Sequence, residues 1–261
     1  MSTAESQEAT AAKNGRGYFH GHKITAKRII VYLLGIFIMC IGIAFAVKSD
    51  FGISPVTSLP YACGRVFGTT TGNGTIVAFI VFIIVQFIVY RKHADWTLVL
   101  QFPIAIVFGK MTDLAIAMVS PLTTAGFAAV EPMGYVPTII LKLVFIGISI
   151  FILAFGLNMY LASDVITIPS DGVPVCFAWL FKRRLGSVKR VTDLIFVVIA
   201  FVLEMSFLGD FDGIWVGTIL AALGNGTMLN VWRKWLGDFW TNMLFADEQK
   251  SEVVESVSAA N

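Results

Sequence analysis

Apolar residues fill positions 29–47, 75–90, 96–119, 136–161, 191–208 and 214–232, separated by short polar stretches. At ~20 residues per crossing, most of these runs are long enough to span a bilayer as helices, and 75–90 is the shortest. The pattern predicts an all-α polytopic membrane protein. Two of the polar interruptions differ from ordinary loops. Ser49, Asp50, Pro55 and Pro60 recur as Ser163, Asp164, Pro169 and Pro174, each 114 residues further on.

Pro55 suits the first position of a helix, with Ser54 as an N-cap accepting a hydrogen bond from a backbone N–H two or three residues on. A short helix is expected over about 55–67, stopped by Gly68 and a loop at 69–74, and a second one ending at about 181. At 1.5 Å per residue such a helix covers only about 20 Å of a hydrocarbon core of about 30 Å. Gly147 stands 112 residues after Gly35, Gly186 stands 114 after Gly72, and Gly224 stands 115 after Gly109. Matched breaks and glycines at nearly one offset predict two internal repeats, at 28–119 and 136–232, joined by a linker at 120–135. A polar tail at 1–27 precedes them, and an interfacial helix at 233–246 and a disordered acidic tail at 247–261 follow.

The short helices either cross the membrane or dip in and return. Counting Lys and Arg on each side under the positive-inside rule barely separates the two cases. The shortness of these helices, their prolines and the absence of Lys and Arg from 120–135 weigh toward re-entry. Each repeat then has three crossings and one Pro-broken re-entrant helix, and the repeats are inverted.

Composition agrees: 57% of the 261 residues are hydrophobic and 14% charged, against about a quarter charged in soluble domains. The net charge of +2 comes from basic residues flanking the apolar runs, which excludes a nucleic-acid partner. Cys40, Cys63 and Cys176 are odd in number and lack a CxxC spacing, so neither a disulfide framework nor a zinc site is expected. His20 and His22 lie in the polar tail without further ligands. No metal and no cofactor is expected. No signal peptide is visible, and the N-terminus is expected in the cytoplasm.

Candidate chemistry concentrates at the two breaks. Pro60 deprives the carbonyl of Val56 of its helical partner, and Pro174 does so for Ser170. The short helices also begin with bare N–H groups and a positive dipole end. With Ser54, Pro55, Thr57, Ser58, Thr167, Pro169, Ser170 and Asp171 they suit a small polar or anionic solute, or else cap two surface turns. Asp171, whose counterpart at this offset is Thr57, is either a cap or a counter-charge. Asn158 could bond a ligand or a neighbouring helix. Lys110 and Asp113, three apart on one helix, can neutralise one another or serve a coupling ion, H+ or Na+. Asp193, with Arg190, reads as an anchor or a coupling group, Glu204 as a buried partner or proton carrier, and Lys142 as a snorkelling side chain.

Gly52-Ile53-Ser54-Pro55, Gly72, Pro169-Ser170-Asp171 and Gly213-Ile214-Trp215-Val216-Gly217-Thr218 resemble the YczE/YyaS/YitT group of bacterial membrane proteins, over about 28–232. The resemblance implies a bacterial cytoplasmic-membrane protein treated as a transporter without a settled substrate. Thr57 departs from it, standing where the group has an acidic residue.

The expected function is therefore a transporter, ion-coupled or facilitative, binding its solute between the broken segments. A passive channel and an accessory or sensor protein remain open, as does a homodimer. No HExxH or GxSxG motif and no membrane-embedded histidine point to an enzyme.

Overall fold

The computed structural model describes residues 25–94, 96–210 and 216–259, with side chains as far as 244. Eight α-helices account for most of them: α1 Ala26–Ser49, α2 Pro55–Val66, α3 Thr71–Tyr90, α4 Thr97–Val130, α5 Tyr135–Ser163, α6 Pro169–Phe181, α7 Leu185–Phe207 and α8 Val216–Ala259. No strand occurs among the described residues. Among the described residues four stretches, Ala26–Ser49, Thr71–His93, Thr97–Met133 and Tyr135–Ser163, are long and apolar enough to cross a membrane by length and composition; the crossings expected at 191–208 and 214–232 are not among them.

The centre of the fold is the α1–α5 pair. A side chain at Gly35 would collide with the backbone of Gly156 and Tyr160, and one at Gly42 with the backbone of Leu153. Ser149 donates its hydroxyl to the Gly42 carbonyl at 2.7 Å. As numbering rises along α1 it falls along α5, so the two helices are antiparallel. Glycine here lets two backbones meet where no apolar driving force separates helix from lipid.

Both helices end in the same way. Asp50 and Asp164 adopt left-handed backbone at φ 48° and 46°, which Asp tolerates better than most residues. Ser49 Oγ donates to the Ala46 carbonyl and Ser163 Oγ to the Tyr160 carbonyl, each at 2.6 Å. The chain then runs extended into α2 and α6, each opening on a proline.

α2 packs against α3 and α7, and α6 against α3 and α7. Gly64 and Gly74 bring α2 and α3 together, and Gly72 and Gly109 bring α3 onto α4. α4 lies on α1, and α8 on α5.

Several boundaries differ from the sequence expectation. α4 continues through Val130 where a linker was expected from 120: Pro121 costs one backbone bond without ending the helix, and the chain turns at Gly134, φ 107°. α8 runs unbroken to Ala259, joining the last crossing, the interfacial helix and the expected disordered tail, because no proline interrupts it. α3 starts at Thr71 rather than 75, since Thr70 Oγ1 caps it by accepting from Asn73 N–H at 3.2 Å. Gly147 is not the partner of Gly35, for open space surrounds it; the residue 114 after Gly35 is Ser149. The expected tail at 1–27 lies outside the described residues up to 24.

Candidate functional site: a cavity between the two short helices

A cavity of about 900 Å³ lies where α2 and α6 begin. Ser54, Pro55 and Thr57 of the first break and Ser170 and Asp171 of the second line it, together with Thr75 of α3, Lys189, Arg190 and Asp193 of α7, and Asn225 of α8. The remaining wall is largely aliphatic and aromatic, including Met39, Ile43, Phe79, Phe108 and Leu157.

Ser54 occupies the N-cap position of α2 but does not cap it with its side chain. Its hydroxyl accepts from Asn225 Nδ2 at 3.1 Å, and its carbonyl accepts from Thr57 N–H and Thr57 Oγ1, both at 2.9 Å. The sequence expectation of a Ser54 cap is corrected because α8 supplies a competing donor. No acidic residue stands in the first turn of α2. α6 differs: Asp171 sits in its first turn and accepts from Lys189 Nζ at 2.5 Å. The positive end of α6 is thus offset by a carboxylate, and that carboxylate by an ammonium. Thr57 and Thr75 stand 114 residues before Asp171 and Lys189, so the first break holds two hydroxyls where the second holds an ion pair.

A buried amide network fastens α6. Gln86 Nε2 lies 3.3 Å from the Pro169 carbonyl and 3.1 Å from Gln101 Oε1, and Gln101 Nε2 donates back to Gln86 Oε1 at 3.3 Å. Gly172 leaves room for the Gln86 side chain. Pro169 therefore positions a backbone acceptor and does not line the cavity.

Other expected site residues fall elsewhere. Ser58 is buried and returns its hydroxyl to the Pro55 carbonyl at 2.7 Å. Thr167 is buried outside the cavity lining. Asn158 is buried too, with Oδ1 lacking a hydrogen-bond partner among the described residues, and does not line the cavity. Lys110 and Asp113 do not neutralise one another. Asp113 accepts from Gly72 N–H and Thr70 Oγ1, each at 2.8 Å, and Lys110 donates to Asn73 Oδ1 at 2.9 Å, so both tie down the start of α3. Glu204 is buried and faces Arg65 at 3.4 Å, while Arg65 also holds Asp210 at 3.0 Å; this cluster closes the far end of α2. Lys142 does not snorkel outward but bonds the Asp50 carboxylate at 2.7 Å.

Lys189, Thr75 and Asn225 are among the polar cavity residues that the sequence did not single out, and Arg190, weighed only as an anchor for Asp193, lines the cavity too. Lys189 had one available signal, a lysine inside an otherwise crossing-length helix, matched at the common offset by Thr75.

Helices of crossing length gathered around a partly charged cavity define an all-α polytopic membrane protein. The chain belongs to a family of unknown function, DUF6198, whose profile matches residues 26–234. It is 24% identical over 204 residues to the uncharacterized protein YyaS of Bacillus subtilis (strain 168), covering 78% of this chain and 91% of that one. The YyaS-like resemblance in the sequence is thereby established. No solved structure matches the chain.

Proposed function

We propose that this protein is a transporter, ion-coupled or facilitative, of a small polar or anionic organic solute. It would lie in a bacterial cytoplasmic membrane with its N-terminus in the cytoplasm. The observation that carries this reading is the cavity on which the starts of α2 and α6 converge. Backbone that is not hydrogen-bonded within a helix is tolerated at membrane depth only where it lines protein, water or a ligand.

The topology we propose is six crossings in two inverted halves, with α2 and α6 re-entrant. Its support is the antiparallel α1–α5 pair. With α1 running outward, α3, α4 and α5 run inward, outward and inward if α2 turns back, and α5 then opposes α1. A crossing α2 would make them parallel. The 12 and 13 residues of α2 and α6 span about 20 Å, too little for a hydrocarbon core of about 30 Å. Asp193, on the cavity wall beside Lys189 and Asp171, is our candidate for the coupling group.

The test is uptake into proteoliposomes across a panel of organic anions, with and without a proton or sodium gradient, alongside thermal stabilisation of the purified protein. Saturable uptake is expected, with ligand stabilisation lost in Asp171→Asn and in Ser54→Ala/Ser170→Ala while the unliganded proteins stay folded. Flux that rises without saturation would identify a channel. An absence of both binding and flux would leave the accessory role.

A further inference from the structure

Equivalent helix faces meet different surroundings in the two halves of the chain. α3 buries Gly72, Thr75, Phe79 and Ile83, and the residues 114 further on, Gly186, Lys189, Asp193 and Val197, all line the cavity without being buried. α4 buries Phe108, Gly109 and Thr112, and their counterparts Ala222, Leu223 and Gly226 are exposed and line the cavity as well. One register therefore describes closed helix faces in the first half and cavity wall in the second.

A side chain at Gly72 would run into the Gly109 carbonyl, and the Phe79 and Phe108 ring centroids lie 5.1 Å apart, so α3 and α4 are in close contact. No comparable contact joins α7 to α8 among the described residues; open space surrounds Gly186, and Leu223 is 69% exposed. Other packings do recur between the halves: α4 lies on α1 as α8 lies on α5, α2 on α3 as α6 on α7, and α2 on α7 as α6 on α3. The halves thus differ in whether their last two helices meet. In a bilayer, parting two helices forfeits packing but no hydrophobic free energy, because lipid is as apolar as the helix face.

We propose that α7 and α8 close on one another as α3 and α4 do here while α3 and α4 part, so that the cavity opens alternately at the two ends of the molecule. This deepens the transporter reading above and rests on its inverted topology, in which Gly72 lies toward the outer face and Gly186 toward the cytoplasm. The arrangement described here is then the cytoplasm-open state. Gly72 and Gly109 form the outer gate, shut, and Gly186 and Leu223 the inner gate, open, with the hollow at Gly186 able to receive the Leu223 side chain.

The experiment uses the full chain in phosphatidylcholine nanodiscs, spin-labelled at exposed positions: Val77→Cys with Ile106→Cys reports on α3 and α4, and their counterparts Val191→Cys with Leu220→Cys on α7 and α8. Cys40, Cys63 and Cys176 are buried and take up no label. Electron–electron double resonance should find two separations in each pair, differing by about 10 Å, one helix diameter, with the short one dominant for α3–α4 and the long one for α7–α8. Gly72→Ala, which crowds Gly109, should enrich the long α3–α4 and the short α7–α8 separation. Gly186→Trp, set in open space, should fold, keep only the long α7–α8 separation and abolish saturable organic-anion uptake by proteoliposomes. Gly147→Trp, in open space away from the cavity, should behave like the parent. Uptake by Gly186→Trp equal to that of Gly147→Trp would overturn the proposal and leave the transporter reading standing, as would a single separation in each pair that Gly72→Ala does not move. If Gly72→Ala fails to fold, uptake by Gly186→Trp decides alone. Exchange of both separations without uptake of any organic anion would keep the gates and remove the transporter reading; neither exchange nor uptake would remove both.

Discussion

Arg28 near the start of α1 reaches Asp164 at the end of α5, donating to its carbonyl at 2.5 Å and lying 3.4 Å from its carboxylate. Lys142, 114 residues after Arg28, does the same to Asp50, 114 residues before Asp164, at 2.8 and 2.7 Å. Each of the two central helices therefore carries a base near its start that holds the left-handed aspartate at the end of the other. The two ties sit at opposite ends of the pair and differ in burial.

That difference sets an order of cost. Arg28 is fully buried and also serves the Ser163 carbonyl at 2.9 Å, so Arg28→Met strands buried acceptors and should cost about 3 kcal/mol. The Lys142–Asp50 pair is 22% and 65% exposed, and Lys142→Met should cost about 1 kcal/mol or less. Thermal unfolding of the two variants in the same detergent checks this; a larger loss in Lys142→Met would refute the burial argument.

The glycines of α1 and α5 separate contact from pattern. Gly35→Leu and Gly156→Leu place side chains into the opposing backbone and should abolish recovery of folded protein. Gly147→Leu, on the same helix as Gly156 but with nothing nearby, should express and purify like the parent. Size-exclusion profiles of the three decide it.

Gln86 and Gln101 form a unit. Gln86→Leu leaves the Gln101 amide and the Pro169 carbonyl without that partner, at about 1–3 kcal/mol. The Gln86→Leu/Gln101→Leu double variant should recover part of that loss, giving a non-additive cycle. Additive losses would mean that the two amides act independently.

Asp113 and Lys110 are expected to matter for stability and not for coupling. Asp113→Asn weakens the hold on Gly72 N–H, a cap-like loss of about 1 kcal/mol, while the ion dependence of uptake should be unchanged. A shifted gradient dependence in this variant would return Asp113 to the transport pathway.

Much of the architecture was legible because its causes are local. The apolar runs at 29–47, 75–90, 96–119 and 136–161, the prolines at the first helical position and the Ser-Asp helix ends act over a few residues, and they appear where expected. Lys110 and Asp113 misled for the same reason: a spacing of three implies a pair only if no third group competes, and the α3 backbone does compete. Ser54 misled likewise, since Asn225 lies 171 residues away. Of the ionisable groups weighed from the sequence, Asp171, Asp193 and Arg190 reach the cavity, and Lys189 was passed over because nothing near it in the chain announces Asp171 as its partner.

What the amino-acid order determined alone was the helical membrane class, the two broken segments and the 114-residue correspondence, all consequences of hydropathy and backbone stereochemistry. What only the tertiary structure decided was which positions meet: Arg28 with Asp164, Lys142 with Asp50, and Lys189 with Asp171. Such meetings depend on how whole helices pack across more than a hundred residues of chain, and no short-range rule encodes that distance.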